Sequence, residues 1–124
     1  MTRKTVLITG ASAGIGAASA RLLAQHGYDV GLGYRSDQAG AEAVAADVEA
    51  AGGTAVLLQG DMADPADIDR IFADFDAAFP RLDALVNNAG ISAAGRFEAL
   101  ELDAMLKVID INLTGAIVLT NGLL

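Results

Sequence analysis

Four short, almost unbroken apolar runs separated by segments of helical period constrain this chain more than any other feature. Thr5 to Thr9, Val30 to Tyr34, Thr54 to Gln59 and Leu82 to Asn88 read as strands, and none alternates apolar with polar residues. Strands of that kind need cover on both faces, the situation of a parallel sheet between two layers of helices. The intervening segments supply those helices. Ile15, Ala18, Ser19, Leu22 and Leu23 fall at i, i+3, i+4, i+7 and i+8 and predict an apolar stripe on a helix that stops at Gly27. Ala41, Val44, Val48 and Ala51 mark a second helix, closed by Gly52-Gly53, where a left-handed cap costs no side-chain clash. A third is framed by Asp64 as cap, Pro65 in the first turn and Pro80 beyond the end, with Ile68, Ile71, Phe72, Phe75 and Phe79 on one face. From about Leu102 to Leu124 the signals conflict. Leu102, Met105, Leu106 and Ile109 keep helical period, whereas Thr114, Gly115, Thr120, Asn121 and Gly122 are poor helix formers and Ile117-Val118-Leu119 also suits a strand. Helix is favoured there. The order of elements predicts an α/β doubly wound parallel sheet, four strands with flanking helices, in one domain over residues 1–124.

Charge and residue usage then narrow the function classes. Eight Lys+Arg against 16 Asp+Glu leave a net charge of -8, which repels nucleic-acid backbones and anionic lipid. With no cysteine there is no thiol nucleophile and no thiolate zinc site, and His26 alone builds no histidine metal site, so no metal is expected. Arg3-Lys4 followed by Val6-Leu7-Ile8 imitates a secretory signal, but Gly10, Gly14 and Gly16 interrupt it. No run approaches the roughly 18 apolar residues that span a bilayer, and a cytoplasmic protein is expected.

The informative stretch is Thr9-Gly10-Ala11-Ser12-Ala13-Gly14-Ile15-Gly16, where the first strand turns into the first helix. Glycines at 10, 14 and 16 permit a tight turn, a close approach of backbone to ligand and a helix packed near the sheet, and the helix N-terminus attracts a pyrophosphate. No lysine follows the last glycine, so this is not a P-loop, and the spacing differs from G-x-G-x-x-G. A glycine-rich turn with no ligand is the alternative. Downstream stand Asp61 after the third strand, Asn87-Asn88-Ala89-Gly90 after the fourth, and Asn112 in Ile111-Asn112-Leu113-Thr114-Gly115.

Taken together and in this order, these segments resemble the short-chain dehydrogenase/reductase family along the whole chain. Thr9-Gly10-x-x-x-Gly14-Ile15-Gly16 is similar to its cofactor motif, Asn87-Asn88-Ala89-Gly90 to its N-N-A-G motif, Asp61 to the acidic residue that contacts adenine, and Asn112 to the asparagine of its catalytic set. The resemblance implies cofactor contacts at Gly10, Ser12, Ala13, Gly14, Ile15, Gly16, Asp61, Met62, Asn88, Ala89 and Gly90. It also implies a hydride transfer between nicotinamide and a carbonyl or alcohol substrate, a seven-stranded sheet and a homo-oligomer.

Each residue also has its own chemistry. A carboxylate at Asp61 lies where open α/β sheets bind ligands and can accept an adenine amino group, although an aspartate there also suits a helix cap. Two amides and a glycine at residues 87–90 suit ribose and backbone contacts. Asn112 in an apolar segment requires partners for its amide, and a satisfied core amide or a helix kink is the alternative. At the end of the second strand Tyr34 stands where an acidic residue would select NAD. Arg35 and Ser36 follow, a guanidinium and a hydroxyl suited to a 2′-phosphate with Tyr34 beside the adenine, so NADP is favoured over NAD. A solvated surface Arg35 is the alternative.

The family's serine and Tyr-x-x-x-Lys pair have no counterpart here, since Tyr28 and Tyr34 are followed four residues on by Leu32 and Gln38. Two readings follow. One is the cofactor-binding part of an NADP-dependent oxidoreductase, incomplete at its C-terminus because Thr120 to Leu124 ends on apolar residues without a cap, and inactive alone. The other is a non-catalytic dinucleotide-binding module or pseudoenzyme. A structural α/β module without ligand is the weakest of the alternatives.

Overall fold

A computed structural model describes residues 3–124. Strands β1 (Lys4–Ile8), β2 (Tyr28–Tyr34), β3 (Ala55–Gln59) and β4 (Ala84–Val86) alternate with helices α1 (Gly14–Gln25), α2 (Gln38–Ala50) and α3 (Pro65–Ala78). The strands form one parallel sheet in the order β3-β2-β1-β4. Because the chain leaves β1 on one side and returns on the other at β4, the carboxyl ends of β1 and β4 flank a crevice where the order reverses, and ligands of open α/β sheets bind in such crevices.

The lack of alternation in the strands is explained by cover on both faces. Val6, Leu7 and Ile8 are all fully buried although neighbours on a strand point to opposite sides. Val6 and Ile8 pack with Ala17, Ala20, Ala24, Val44 and Val48 of α1 and α2. Leu7 packs with Leu58, Ile68, Ile71 and Phe75 on the α3 side. Gly31 of β2 leaves room for the Phe75 ring, since a Cβ there would lie 2.9 Å from Phe75 Cδ2.

Helix α3 is built as expected: Asp64 caps it by accepting from Ala66 N–H, Pro65 opens it, and Ile68, Ile71 and Phe75 are buried. The stripe expected on α1 is corrected. Gly16, Ala17, Ala20 and Ala24 face inward, while Ile15 is 77% and Leu22 55% exposed. The burying face is made of the smallest residues because α1 lies close to the sheet and to α2. On α2 the inward residues are Ala41, Val44, Ala45 and Val48, with Ala51 exposed at the cap. The fourth strand is shorter than expected, as Asn87 and Asn88 leave the ladder.

The final segment is helical throughout: α4 (Leu102–Ile109), a π-helical turn over Asp110–Gly115 and α5 (Ala116–Leu123). Its inner side seats Ile111 and Leu119 in the α3-side core. Its other side leaves Leu102, Leu106, Ile109, Leu113 and Ile117 exposed. Among the described residues no helix is long and apolar enough to cross a membrane, and no cluster of metal-ligating side chains occurs.

Candidate functional site

At the carboxyl end of the sheet a cleft opens between the loops that follow β1, β2, β3 and β4. Gly10 and Ser12 line it from the glycine turn, and Tyr34, Arg35 and Ser36 from the end of β2. Asp61 and Met62 contribute from the β3 side, Ala89 and Gly90 from the β4 side. Ala13, Gly14, Ile15, Gly16, Asn88 and Asn112, also expected at the site, do not line this cleft.

The glycine turn is built by three different needs. Gly10 has a φ of +64° and lies against Ala89, a left-handed conformation that L side chains rarely adopt. Gly14, with a φ of +56°, begins α1 facing open space. Gly16 is required by approach: a Cβ there would lie 2.2 Å from the Gly10 carbonyl oxygen. Ala13 stands at the N-cap without a side-chain hydrogen bond, and no acidic residue occupies the first turn. The first N–H groups of α1 thus have no side-chain cap, the arrangement in which a helix end accepts an external anion.

Thr9, which the motif reading did not assign a role, joins this turn to the loop after β4. Its hydroxyl accepts from Asn88 N–H at 3.0 Å and Ala89 N–H at 2.9 Å. Asn88 answers with its amide, whose Nδ2 donates to the carbonyls of Thr9 at 3.2 Å and Gly10 at 3.1 Å. Asn88 therefore shapes the cleft from behind. Asn87 donates instead to the Thr120 hydroxyl at 3.0 Å. The signal for Thr9 was its place directly before Gly10, a polar residue ending a buried strand, which is costly without partners.

Asn112 sits in the π-helical turn, and both ends of its amide engage one residue. Oδ1 accepts from Ile91 N–H and Nδ2 donates to the Ile91 carbonyl, each at 2.8 Å. The amide is satisfied and fixes Ile91, itself a cleft residue. On the opposite side Asp61 makes a local turn, its Oδ1 accepting from Ala63 N–H at 2.9 Å, while Oδ2 lies 4.0 Å from Lys107 Nζ. Asp37 lines the cleft after Ser36 and caps α2 through Gly40 N–H at 3.0 Å, while the residue that ends β2, where an acidic selector would stand, is Tyr34. Arg35 is exposed and joins none of the ion pairs among the described residues.

Two carboxylates near the strand ends titrate low. Asp67 is held below the ordinary carboxylate range by the N–H of Asp61, with Arg70 adding to the effect against partial burial. Asp83 is lowered first by the N–H of Thr5 and further by Arg81, again against partial burial. Asp83 Oδ2 accepts that N–H at 2.8 Å and so ties the approach to β4 onto β1.

Known proteins are similar to this chain in sequence and in fold. The family model for short chain dehydrogenase matches residues 4–124. An L-rhamnose 1-dehydrogenase (NAD(P)(+)) of Sphingomonas is 40% identical over 113 residues, covering 91% of this chain and 44% of that protein. A 3-oxoacyl-[acyl-carrier-protein] reductase of Synechocystis is 38% identical over 122 residues, covering 98% of this chain and 49% of the relative. Among solved structures, a short chain dehydrogenase from Burkholderia cenocepacia in complex with NADP superposes with a TM-score of 0.92 at 40% identity, over 97% of this chain and 49% of that one. The chain spans about half the length of the curated relatives it matches. A parallel sheet with a glycine turn after its first strand, a Thr9-linked N-N-A-G loop and a family match over nearly every residue place the chain in the short-chain dehydrogenase family of oxidoreductases.

Proposed function

We propose that the cleft binds NADP in preference to NAD, and that the chain is the cofactor-binding part of an oxidoreductase acting on a small carbonyl or alcohol substrate. The single observation that carries this reading is the pairing on one cleft of the glycine turn, present there through Gly10 and Ser12 just ahead of an α1 N-terminus without a side-chain cap, with an exposed Arg35 that joins no ion pair among the described residues. The residues present fit such a ligand. The N–H groups at Ser12, Ala13, Gly14, Ile15 and Gly16 would hold the pyrophosphate, Arg35 and Ser36 a 2′-phosphate, and Tyr34 would border the adenine. Asp61 would accept from the adenine amino group beside Met62, while Ala89 and Gly90 would form the ribose wall behind which Asn88 holds the glycine turn. When bound, the nicotinamide supplies hydride chemistry. Asn112 would serve it indirectly by fixing Ile91.

Fluorescence titration with NADPH and NADH tests the reading. Arg35→Ala is expected to weaken NADPH binding by about 1.5 to 3 kcal/mol, the scale of a charge-assisted contact, and to leave NADH nearly unchanged. Equal losses for both would remove Arg35 from a phosphate site.

No tyrosine in the 124 residues is followed four positions on by lysine, an observation that favours binding without turnover for this stretch taken alone. A pseudoenzyme or binding module is the second reading. Assay of NADPH oxidation across a panel of carbonyl compounds separates the two in the whole protein. The exposed apolar stripe on α4 and α5 supports a homo-oligomer.

A further inference from the structure

The loop that brings Asp61 and Met62 to the cleft is held from behind by two side chains of α3 that do not line the cleft. Asp67 Oδ2 accepts from Asp61 N–H at 2.8 Å. Its other oxygen, Oδ1, accepts from Arg70 Nη1 at 2.9 Å. Arg70 Nη2 in turn donates to the carbonyl of Gln59 at 2.7 Å, and the Gln59 amide donates to the carbonyl of Arg35 at 3.2 Å. One line of hydrogen bonds thus runs from α3 through the end of β3 to the loop after β2. Gly60 completes the fit, because a Cβ there would lie 2.8 Å from Ile71 Cδ1 and 3.2 Å from Asp67 Cβ.

Helix α3 has no need of this arrangement for its own formation. Asp64 already caps it, Pro65 opens it, and Ile68, Ile71 and Phe75 bury it against the sheet. The Asp67 carboxylate is directed at the backbone of the preceding loop, and Arg70 offsets the charge of a second carboxylate close to Asp61. A charge-assisted bond to a backbone N–H fixes a loop more firmly than a neutral one.

We infer that Asp67, with Arg70, is a positioning pair for the adenosine end of the cleft, setting the backbone of Asp61 and, through Gln59, the height of the Arg35 loop. The inference rests on the dinucleotide reading of the site given above. Its distinctive consequence is a division along the ligand: loss of the pair disturbs the adenosine half and spares the nicotinamide half.

The test is a titration of the full chain with NADPH, followed by nicotinamide fluorescence, together with competition by adenosine bisphosphate, the fragment that carries no nicotinamide. Asp67→Ala is expected to weaken both ligands by the same factor of about ten, with the emission of the saturated NADPH complex unchanged. Asp67→Asn, which keeps an acceptor for Asp61 N–H but loses the charge facing Arg70, is expected to restore part of that loss. Should Asp67→Ala fail to fold by circular dichroism, Arg70→Gln at the exposed end of the pair reads the same division. Unchanged affinities in a wild type that binds NADPH would overturn the pair alone, and so would a loss for NADPH that adenosine bisphosphate does not share or a changed saturated emission. A wild type that binds neither ligand would overturn the dinucleotide reading and this inference with it.

Discussion

Thr9 shows how much one hydroxyl can hold. It is 3% exposed, directly follows β1, and accepts from two successive backbone N–H groups of the loop after β4. Thr9→Val keeps the shape and removes the acceptor, so Ala89 N–H loses its partner, while Asn88 N–H keeps the Val86 carbonyl at 3.0 Å. An orphaned buried donor costs about 1 to 3 kcal/mol, and urea denaturation should show a loss of that size for the valine variant, largely recovered by Thr9→Ser. Asn88 and Asn112 belong to the same logic. Their residue type and place were legible as motif members, yet the partners they take were not. Asn88 turns back to the carbonyls of Thr9 and Gly10, and Asn112 clasps Ile91 at both ends of its amide. A side-chain amide has donors and an acceptor to place, and only folding decides which backbone groups lie within reach.

Among the elements, α3 and α1 mark the two extremes of legibility. The cap, the opening proline and the apolar face of α3 are all local signals, and the helix forms where they place it. In α1 the larger apolar residues suggested the wrong face. A helix can approach a sheet closely only with small residues between, and Gly16, Ala17, Ala20 and Ala24 supply that face. Exposed Ile15 and Leu22 have no such constraint. Strand β2 shows the reverse case, where a missing side chain is what a neighbour requires. Gly31→Ala would place a Cβ 2.9 Å from the Phe75 ring and 3.0 Å from Leu58 Cδ1. Overpacking of this kind typically costs about 1 to 3 kcal/mol. Thermal unfolding should show the loss, and Gly31→Ala combined with Phe75→Leu should lose less than the sum of the separate changes, because the smaller side chain vacates the contested space.

For the molecule as a whole, acid stability and association are the measurable properties. Asp67 and Asp83 both have folded pKa values lowered below the ordinary 3.8. A lowered folded pKa means stabilisation that is fully present above the unfolded value and is lost as pH falls through the folded one. Stability measured by urea titration should therefore decline below about pH 4 more steeply in the wild type than in Asp83→Asn, which has no carboxylate to protonate at that position. Association follows from the face left by α4 and α5. Leu102, Leu106, Ile109, Leu113 and Ile117 recur at intervals of four and three and are all at least 47% exposed. Sedimentation velocity should show a self-associating chain, and Leu106→Glu with Leu113→Glu should shift it toward monomer. An unchanged distribution would exclude this stripe from the contact.

Local chemistry was legible in the residues alone: the four strands from their unbroken apolar runs, the stop of α2 with its left-handed cap at Gly52, the cap and stop of α3, the tight glycine turn after β1, and the motif order that identifies the family. Such features depend on residues a few positions apart, whose geometry the backbone dictates. The tertiary structure decided the rest. It brought Gly10 of the β1 turn, Arg35 after β2, Asp61 after β3 and Gly90 after β4 to one cleft. It turned α1 onto its small residues, and it recruited Thr9, Asp67 and Arg70 to hold loops they do not belong to. These relations join residues that no local pattern links, and packing and hydrogen-bond satisfaction at a distance select among the arrangements the local signals leave open.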